Sequence, residues 1–334
     1  MKVFITGIAG FLGSHLAEHC INKGFKVAGN DTLVGGDLKN ISNLEVEFYK
    51  TDCSDLDGMT KILKDVDVVC HSAAYAHEGL STVSPKLICE NNVVGSTSVF
   101  TASIKNKVKR IVYCSSMARY GDADIPYLES FEPKPVDPYG VSKVAAENIL
   151  KILSKTYNFQ YNIAVPHNII GPKQKYDDAF RNVASIMINL MLQNRSPVIY
   201  GDGNQKRCFS DIDDCLSCID KLMFDEKITS QIVNIGPDEE SITINELYTI
   251  LSNKLKFNKD PIYEPERPNE VKKAICSSNK ARKLLGYSTS IDLDHSLDKI
   301  IKYISENGPK KFQYNYDIEI KSSIAPKTWT KKLF

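Results

Sequence analysis

The stretch "ITGIAGFLGSH", Ile5 to His15, sets Gly7, Gly10 and Gly13 three residues apart, between an apolar run and a helix-like one. No other stretch narrows the available folds as much. A strand that turns tightly into a helix brings free amides and the positive end of the helix dipole over the strand's carboxyl edge. Gly7 permits the tight turn, Gly10 lets a pyrophosphate approach the backbone, and Gly13 lets helix and strand pack closely.

The segments around this turn keep a strand–helix rhythm. "KVFITG", "KVAGND", "VEFYKTD", "VDVVCHSAA", "VKRIVYCSS" and "YNIAVPHNIIG" read as six strands. Helices are expected after the glycine turn, over "LDGMTKILKD", over about 84–106 and over 139–157. Apolar strands separated by helical crossovers imply a parallel sheet covered on both faces. The expected class is α/β, a Rossmann-type doubly wound sheet with a smaller mixed α/β substrate-binding region. Residues 1–170 would form the dinucleotide-binding domain, with a returning segment at about 205–236 that includes the strand "SQIVNIG". Residues 171–204 and 237–312 would form the substrate region, with helices at "RNVASIMINLMLQ", "TINELYTILSNKL" and "SNKARKLLG". Residues 313–334 read as a docked tail of no assignable structure.

Composition removes several function classes. The 334 residues are 42% hydrophobic and 25% charged, with a formal net charge of +1. Such a chain can bury a full core. It has no basic block, so nucleic acid is not an expected partner. No apolar run approaches the roughly 20 residues of a membrane span. The chain enters its first strand at once, without a signal peptide. Nine cysteines, an odd number in so large a chain, read as reduced thiols of a cytoplasmic protein. Cys215 and Cys218 form a CxxC with no second pair, so they read as structural and no metal is expected.

"DPYGVSKVAAENIL" opens a helix with Pro138 and places Tyr139 and Lys143 one turn apart on one face. A nearby ammonium favours the phenolate and lowers a tyrosine's pKa. Asp31 ends the second strand, where a carboxylate can accept from an adenosine ribose and would repel a 2′-phosphate, which favours NAD over NADP. Asp52, after the third strand, is placed for the adenine edge.

Taken together, the GxxGxxG turn, Asp31, Asp52, the serines of "CSSMARYG" and YxxxK resemble the extended short-chain dehydrogenase/reductases. Within them the chain is similar to the nucleotide-sugar epimerases, from Met1 to about Gly286. The resemblance implies NAD contacts at the glycine turn with Phe11 and Leu12, at Asp31, Asp52 and Cys53, and at Ser72, Ala73 and Ala74. It adds Asn92, Ser115, Tyr139, Lys143 and Pro166. It implies Tyr139 as the acid/base that takes a proton from a sugar hydroxyl while NAD takes a hydride from the same carbon. Ser116 would hold that oxygen, and Lys143 would hold the nicotinamide ribose. Lys143 and the positive nicotinamide would lower the phenol's pKa from about 10. A nucleoside diphosphate-sugar, with UDP the leading base, would meet Ser116, Met117, Tyr139, Asn168 and Asn182. Arg207 and Arg267 would clamp its diphosphate through guanidinium forks.

Related 4,6-dehydratases carry an Asp-Glu pair after the active-site serine or threonine, where this chain has Met117 and Ala118. Related decarboxylases usually carry a glutamate in that loop. The leading expectation is therefore 4-epimerisation of UDP-glucose, UDP-N-acetylglucosamine or UDP-glucuronate, with NAD retained and regenerated. The alternatives are a nucleotide-sugar dehydrogenase or reductase with exchangeable NAD, and a non-catalytic NAD-binding regulatory protein. Ala274, seven residues after Arg267, resembles a gate that admits an N-acetyl group. The chain departs from the family at Ala76, where a lysine is common, and at "VPHN". His77 and His167 stand near these departures, and His167 could touch substrate, tune the site or serve as a structural loop histidine. Arg119 could face an acidic sugar or hold a surface or structural role. The resemblance also implies a homodimer formed through the helices at about 84–106 and 139–157.

Overall fold

The computed structural model describes residues 1–334. The chain opens with β1 (Lys2–Thr6), α1 (Phe11–Asn22), β2 (Lys26–Asn30), β3 (Val46–Tyr49), α2 (Leu56–Ile62) and β4 (Val68–His71). The helical turn α3 (Glu78–Ser81) precedes α4 (Pro85–Cys89) and α5 (Gly95–Lys105). Then come β5 (Arg110–Cys114), α6 (Pro138–Tyr157) and β6 (Gln160–Pro166). After β7 (Ile169–Ile170), α7 (Val183–Leu192), β8 (Val198–Tyr200), β9 (Lys206–Arg207) and β10 (Ser210–Asp211), the chain forms α8 (Ile212–Phe224) and β11 (Gln231–Ile235). The remainder comprises β12 (Ile242–Thr243), α9 (Ile244–Leu255), β13 (Ile262–Glu264), β14 (Lys273–Ala274), α10 (Asn279–Leu285), α11 (Leu293–Asn307) and α12 (Lys327–Thr330).

The main sheet has seven strands in the order β11-β6-β5-β4-β1-β2-β3, every pair parallel. Its interior strands are largely apolar on both faces because both are covered, with buried polar exceptions including Arg110, Asn162 and His71. Val3 and Ile5 point into one core with Leu16 of α1 and Ile212, Ile219 and Leu222 of α8. Phe4 points the other way, into a core with Met59 of α2, Phe100 of α5 and Leu150 of α6. A third core joins α7, α9 and α11 through Met187, Leu247 and Ile300. Short two- and three-stranded sheets in the second half carry β9 and β14 side by side. No helix is long and apolar enough to cross a membrane.

Three expectations needed adjustment. The helix at about 84–106 is continuous but contains a wide π turn at Glu90–Val94. The Asn92 side chain, set by that turn, accepts from Tyr75 N at 2.9 Å and donates to Ser142 Oγ at 3.1 Å. The sixth strand stops at Pro166, because Asn168 adopts a positive φ of 33° before β7 resumes. Helix α11 was not anticipated. Its buried Leu297, Ile300 and Ile304 recur at helical spacing in a segment otherwise dominated by charge.

Candidate active site

A single cavity of about 440 Å³ runs along the carboxyl ends of the parallel strands. Ligands in open α/β sheets gather at this edge. The glycine turn forms one end. Gly7 has φ +69°, and a Cβ on Gly13 would lie 2.1 Å from the Gly7 carbonyl oxygen. The backbone thus occupies the space a side chain would need, leaving the turn open towards the cavity. Gly7, Gly10, Phe11, Leu12 and Gly13 all line it. So does Asp31, whose carboxylate accepts from Ala9 N at 3.1 Å and Leu33 N at 2.7 Å. Burial pushes the Asp31 carboxyl up, while these amides pull it back. These features fit a dinucleotide with a free 2′-hydroxyl.

Cys53, Ser72, Ala73, Ala74, Ser115 and Pro166 also line the cavity. Two residues expected beside them do not. Asp52 folds its carboxylate back onto Ser54 N and Oγ, both at 2.7 Å, in a local Asx turn. Asn92 lies behind the wall, holding the Tyr75 loop, and its neighbour Asn91 takes the lining position.

Helix α6 carries the next group. Asp137 caps it, accepting from Gly140 N at 2.8 Å, and Pro138 starts the first turn. Tyr139 and Lys143 then face inward, 5% and 3% exposed. Lys143 Nζ donates to the Cys114 carbonyl at 2.9 Å and stands 5.8 Å from the centroid of the Tyr139 ring. Ser116 follows β5 and borders the same space. Burial holds the Tyr139 phenol above the usual range, the Ser116 hydroxyl lowers it, and the Glu78 charge raises it. Burial also lowers Lys143 to about 8, opposed by Cys114 and Glu147. Burial is therefore the largest influence of the protein itself on the phenol, and it acts against the lowering expected from the Tyr139–Lys143 spacing.

At the other end, Arg267 sends Nε and Nη2 to the two carboxylate oxygens of Glu270, at 2.9 and 2.8 Å. Arg207 Nη2 reaches the same carboxylate at 3.5 Å. The Arg267 guanidinium lies over Tyr200, 5.2 Å from the ring centroid. Asn182 lines this region while capping α7 through Ala184 N. Asn168 also lines the cavity and donates to the Cys208 carbonyl at 3.0 Å. Ala274 borders a small adjoining recess together with Met117 and Asn168.

Residues 3–236 match the family model described as the NAD dependent epimerase/dehydratase family. The chain belongs to that family. A relative described as a putative UDP-glucose 4-epimerase from Methanocaldococcus jannaschii is 33% identical over 308 residues, 91% of this chain and 99% of that one. The UDP-glucose 4-epimerase of Thermotoga maritima, solved with UDP-glucose, superposes with a TM-score of 0.87 at 29% identity. That likeness covers 92% of this chain and 99% of that one. A UDP-glucuronic acid 4-epimerase from Bacillus cereus, solved with UDP-glucuronic acid and NAD, gives 0.85 at 28% identity, over 92% of this chain and 100% of that one. NAD is the cofactor of this epimerase/dehydratase chain.

Several cavity residues of this family member were not singled out from the sequence. Glu270 sits within "ERPNEV" but was not separated from Arg267, although it organises both arginines. Arg181, paired with Asp178 at 3.3 Å, lines the cavity next to Asn182. Glu78 protrudes into the cavity, and Trp329 and Phe334 reach it from the tail. Arg119 faces no sugar. It is buried in a pair with Glu147. His167 is fully buried and does not line the cavity, and burial lowers its ring to about 4. His77 is buried against Phe180 and Tyr316. Cys215 and Cys218 are buried thiols of α8.

Proposed function

We propose that the protein interconverts the C4 epimers of a UDP-linked hexose, namely glucose, N-acetylglucosamine or glucuronate, through a transient 4-keto sugar. One observation carries this reading. Ser116, Tyr139 and Lys143 share a cavity with Arg207 and Arg267, beside a Met117–Ala118 pair that holds no acid or base. NAD, when bound, supplies a reversible hydride acceptor for the sugar carbon. The chain's own groups do the remainder. Tyr139 exchanges a proton between its phenol oxygen and the sugar 4-hydroxyl, and Ser116 Oγ fixes that hydroxyl in line. Lys143 holds the nicotinamide ribose and keeps a positive charge beside the phenol. Asp31 accepts from the adenosine ribose. Arg207 and Arg267 grip the diphosphate, with Asn182 and Asn168 at the phosphate and sugar. Elimination of water lacks its acid and base at positions 117 and 118. The recess at Ala274 leaves room for an N-acetyl group.

Two copies are proposed to pair through α4–α6. Val94, Val141 and Ile152 are apolar and more than half exposed on these helices. Nine free thiols support a reducing compartment, the cytoplasm.

The test is to incubate purified protein, without added NAD, with UDP-glucose, UDP-N-acetylglucosamine and UDP-glucuronate in turn. Proton NMR then follows the sugar signals. A galacto-configured product supports the reading. Released NADH with an oxidised sugar would replace it with net dehydrogenation.

A further inference from the structure

Glu78 is the first residue of α3, at the edge of the cavity. Its neighbours His77 and Leu80 are buried in the body, but Glu78 extends the other way. It borders both the main cavity and the recess beside Met117, Asn168 and Ala274. More than a third of its surface stays open, and its carboxylate makes no hydrogen bond or ion pair with any protein group. Arg207, Arg267, Glu270, Asp137 and the Tyr139 phenol surround it closely enough to feel its charge. Enclosure pushes the Glu78 carboxyl up, and the two arginines pull it back.

The charge balance gives this carboxylate a consequence. Arg207 and Arg267 face Glu270 and Glu78, two positive charges against two negative, and Glu270 already engages both guanidinium groups. This quartet is balanced within itself, and the cavity's surplus positive charge lies elsewhere in its lining, at Lys143, Lys175 and Arg181. A sugar seated beside Glu78 that carried a carboxylate of its own would bring a third negative charge to two arginines already engaged by Glu270, and like charges so placed oppose binding. An uncharged sugar brings hydroxyl or amide N–H donors, which an unpartnered carboxylate accepts in charge-assisted hydrogen bonds.

We propose that Glu78 sets the sugar specificity of this site, favouring an uncharged hexosyl group over a hexuronosyl group. This rests on the UDP-hexose reading above and narrows it. The experiment compares the NAD-loaded wild type with Glu78→Gln, measuring kcat/KM for UDP-glucose, UDP-N-acetylglucosamine and UDP-glucuronate. Calorimetric binding of each nucleotide sugar is measured alongside. The wild type is expected to prefer its better uncharged substrate over UDP-glucuronate by at least tenfold. Glu78→Gln is expected to shrink that ratio at least tenfold, mainly by a gain with UDP-glucuronate in both turnover and binding. Glu78→Ala serves if Gln impairs folding, and the wild-type preference stands as a test alone. Wild-type use of UDP-glucuronate equal to that of the hexoses overturns the inference, as does an unchanged ratio in an active variant. In either case 4-epimerisation itself stands. If no UDP-sugar binds or turns over, the functional reading fails and takes the inference with it.

Discussion

Arg119 Nε lies 2.9 Å from Glu147 Oε1, and Arg119 Nη2 lies 3.0 Å from Glu147 Oε2, in a fork that is 2% and 0% exposed at its two side chains. Ser115 donates to the same carboxylate, and Lys151 stands 3.6 Å away. Glu147 is one turn beyond Lys143 on α6, and Arg119 is three residues beyond Ser116. The pair therefore ties the loop after β5 to the helix that carries the tyrosine and lysine. Removing one partner from a buried pair leaves the other charge uncompensated, at a cost of about 3–5 kcal/mol. Arg119→Leu is expected to lose about that much in urea unfolding, and the double variant with Glu147→Leu to recover a large part. A loss below about 1 kcal/mol would mean that water replaces the guanidinium.

Lys143 gives stability a pH dependence of definite sign. Burial lowers its folded-state value to about 8, against 10.5 for the unconstrained side chain. Between these values the unfolded chain binds more protons than the folded one, so this group's contribution rises with pH. Below about pH 8 the buried ammonium opposes folding in full. Buried thiols and phenols raised above their usual range, such as Cys53 and Tyr113, act in the opposite sense. The informative quantity is therefore a difference between two proteins. The stability of wild type minus that of Lys143→Met, in the absence of nucleotide, is expected to rise by about 2 kcal/mol from pH 7 to pH 10. A flat difference in urea midpoints would show that the ammonium stays solvated.

The sheet was legible because its strands announce themselves locally. Apolar runs, the glycine turn and capping residues act within a few residues of one another, and the seventh strand, β11, repeats the same apolar signature. Tyr139 and Lys143 were legible because one helical turn fixes their relation, as were Ser116 and the arginines through their motifs. Asp52 closes a short Asx turn onto Ser54 through one carboxylate oxygen, a local contact that its position after the third strand does not announce. Glu78, Glu270 and Arg181 were not separated out because their meaning depends on partners brought together by tertiary folding. For Arg119 the sequence offered an acidic sugar or a surface or structural role, and the structural one holds because its partner Glu147 lies 28 residues away in the chain. The tail carries no period to read, because it packs with single aromatic side chains instead of a repeating face.

That tail forms part of the cavity wall. Trp329 is 4% exposed, and its ring centroid lies 5.2 Å from that of Phe180 and 6.3 Å from that of Tyr200. Thr328 Oγ1 and the Tyr200 hydroxyl are 2.5 Å apart. A Cβ on Gly79 would come within 2.8 Å of the tryptophan's Cη2 atom, so the contact is tight on both sides. Arg267, held over Tyr200, rests on the same aromatic platform. Trp329→Ala removes the anchor, and Gly79→Ala crowds it from below. Both are expected to speed limited proteolysis within residues 313–334 and to weaken UDP binding roughly tenfold, about 1.4 kcal/mol, through loss of the wall beside Arg267. Calorimetry with UDP separates two roles for the tail. Faster cleavage with unchanged UDP affinity would make it a cover for the body alone, whereas weaker binding in both variants would make it part of the nucleotide site.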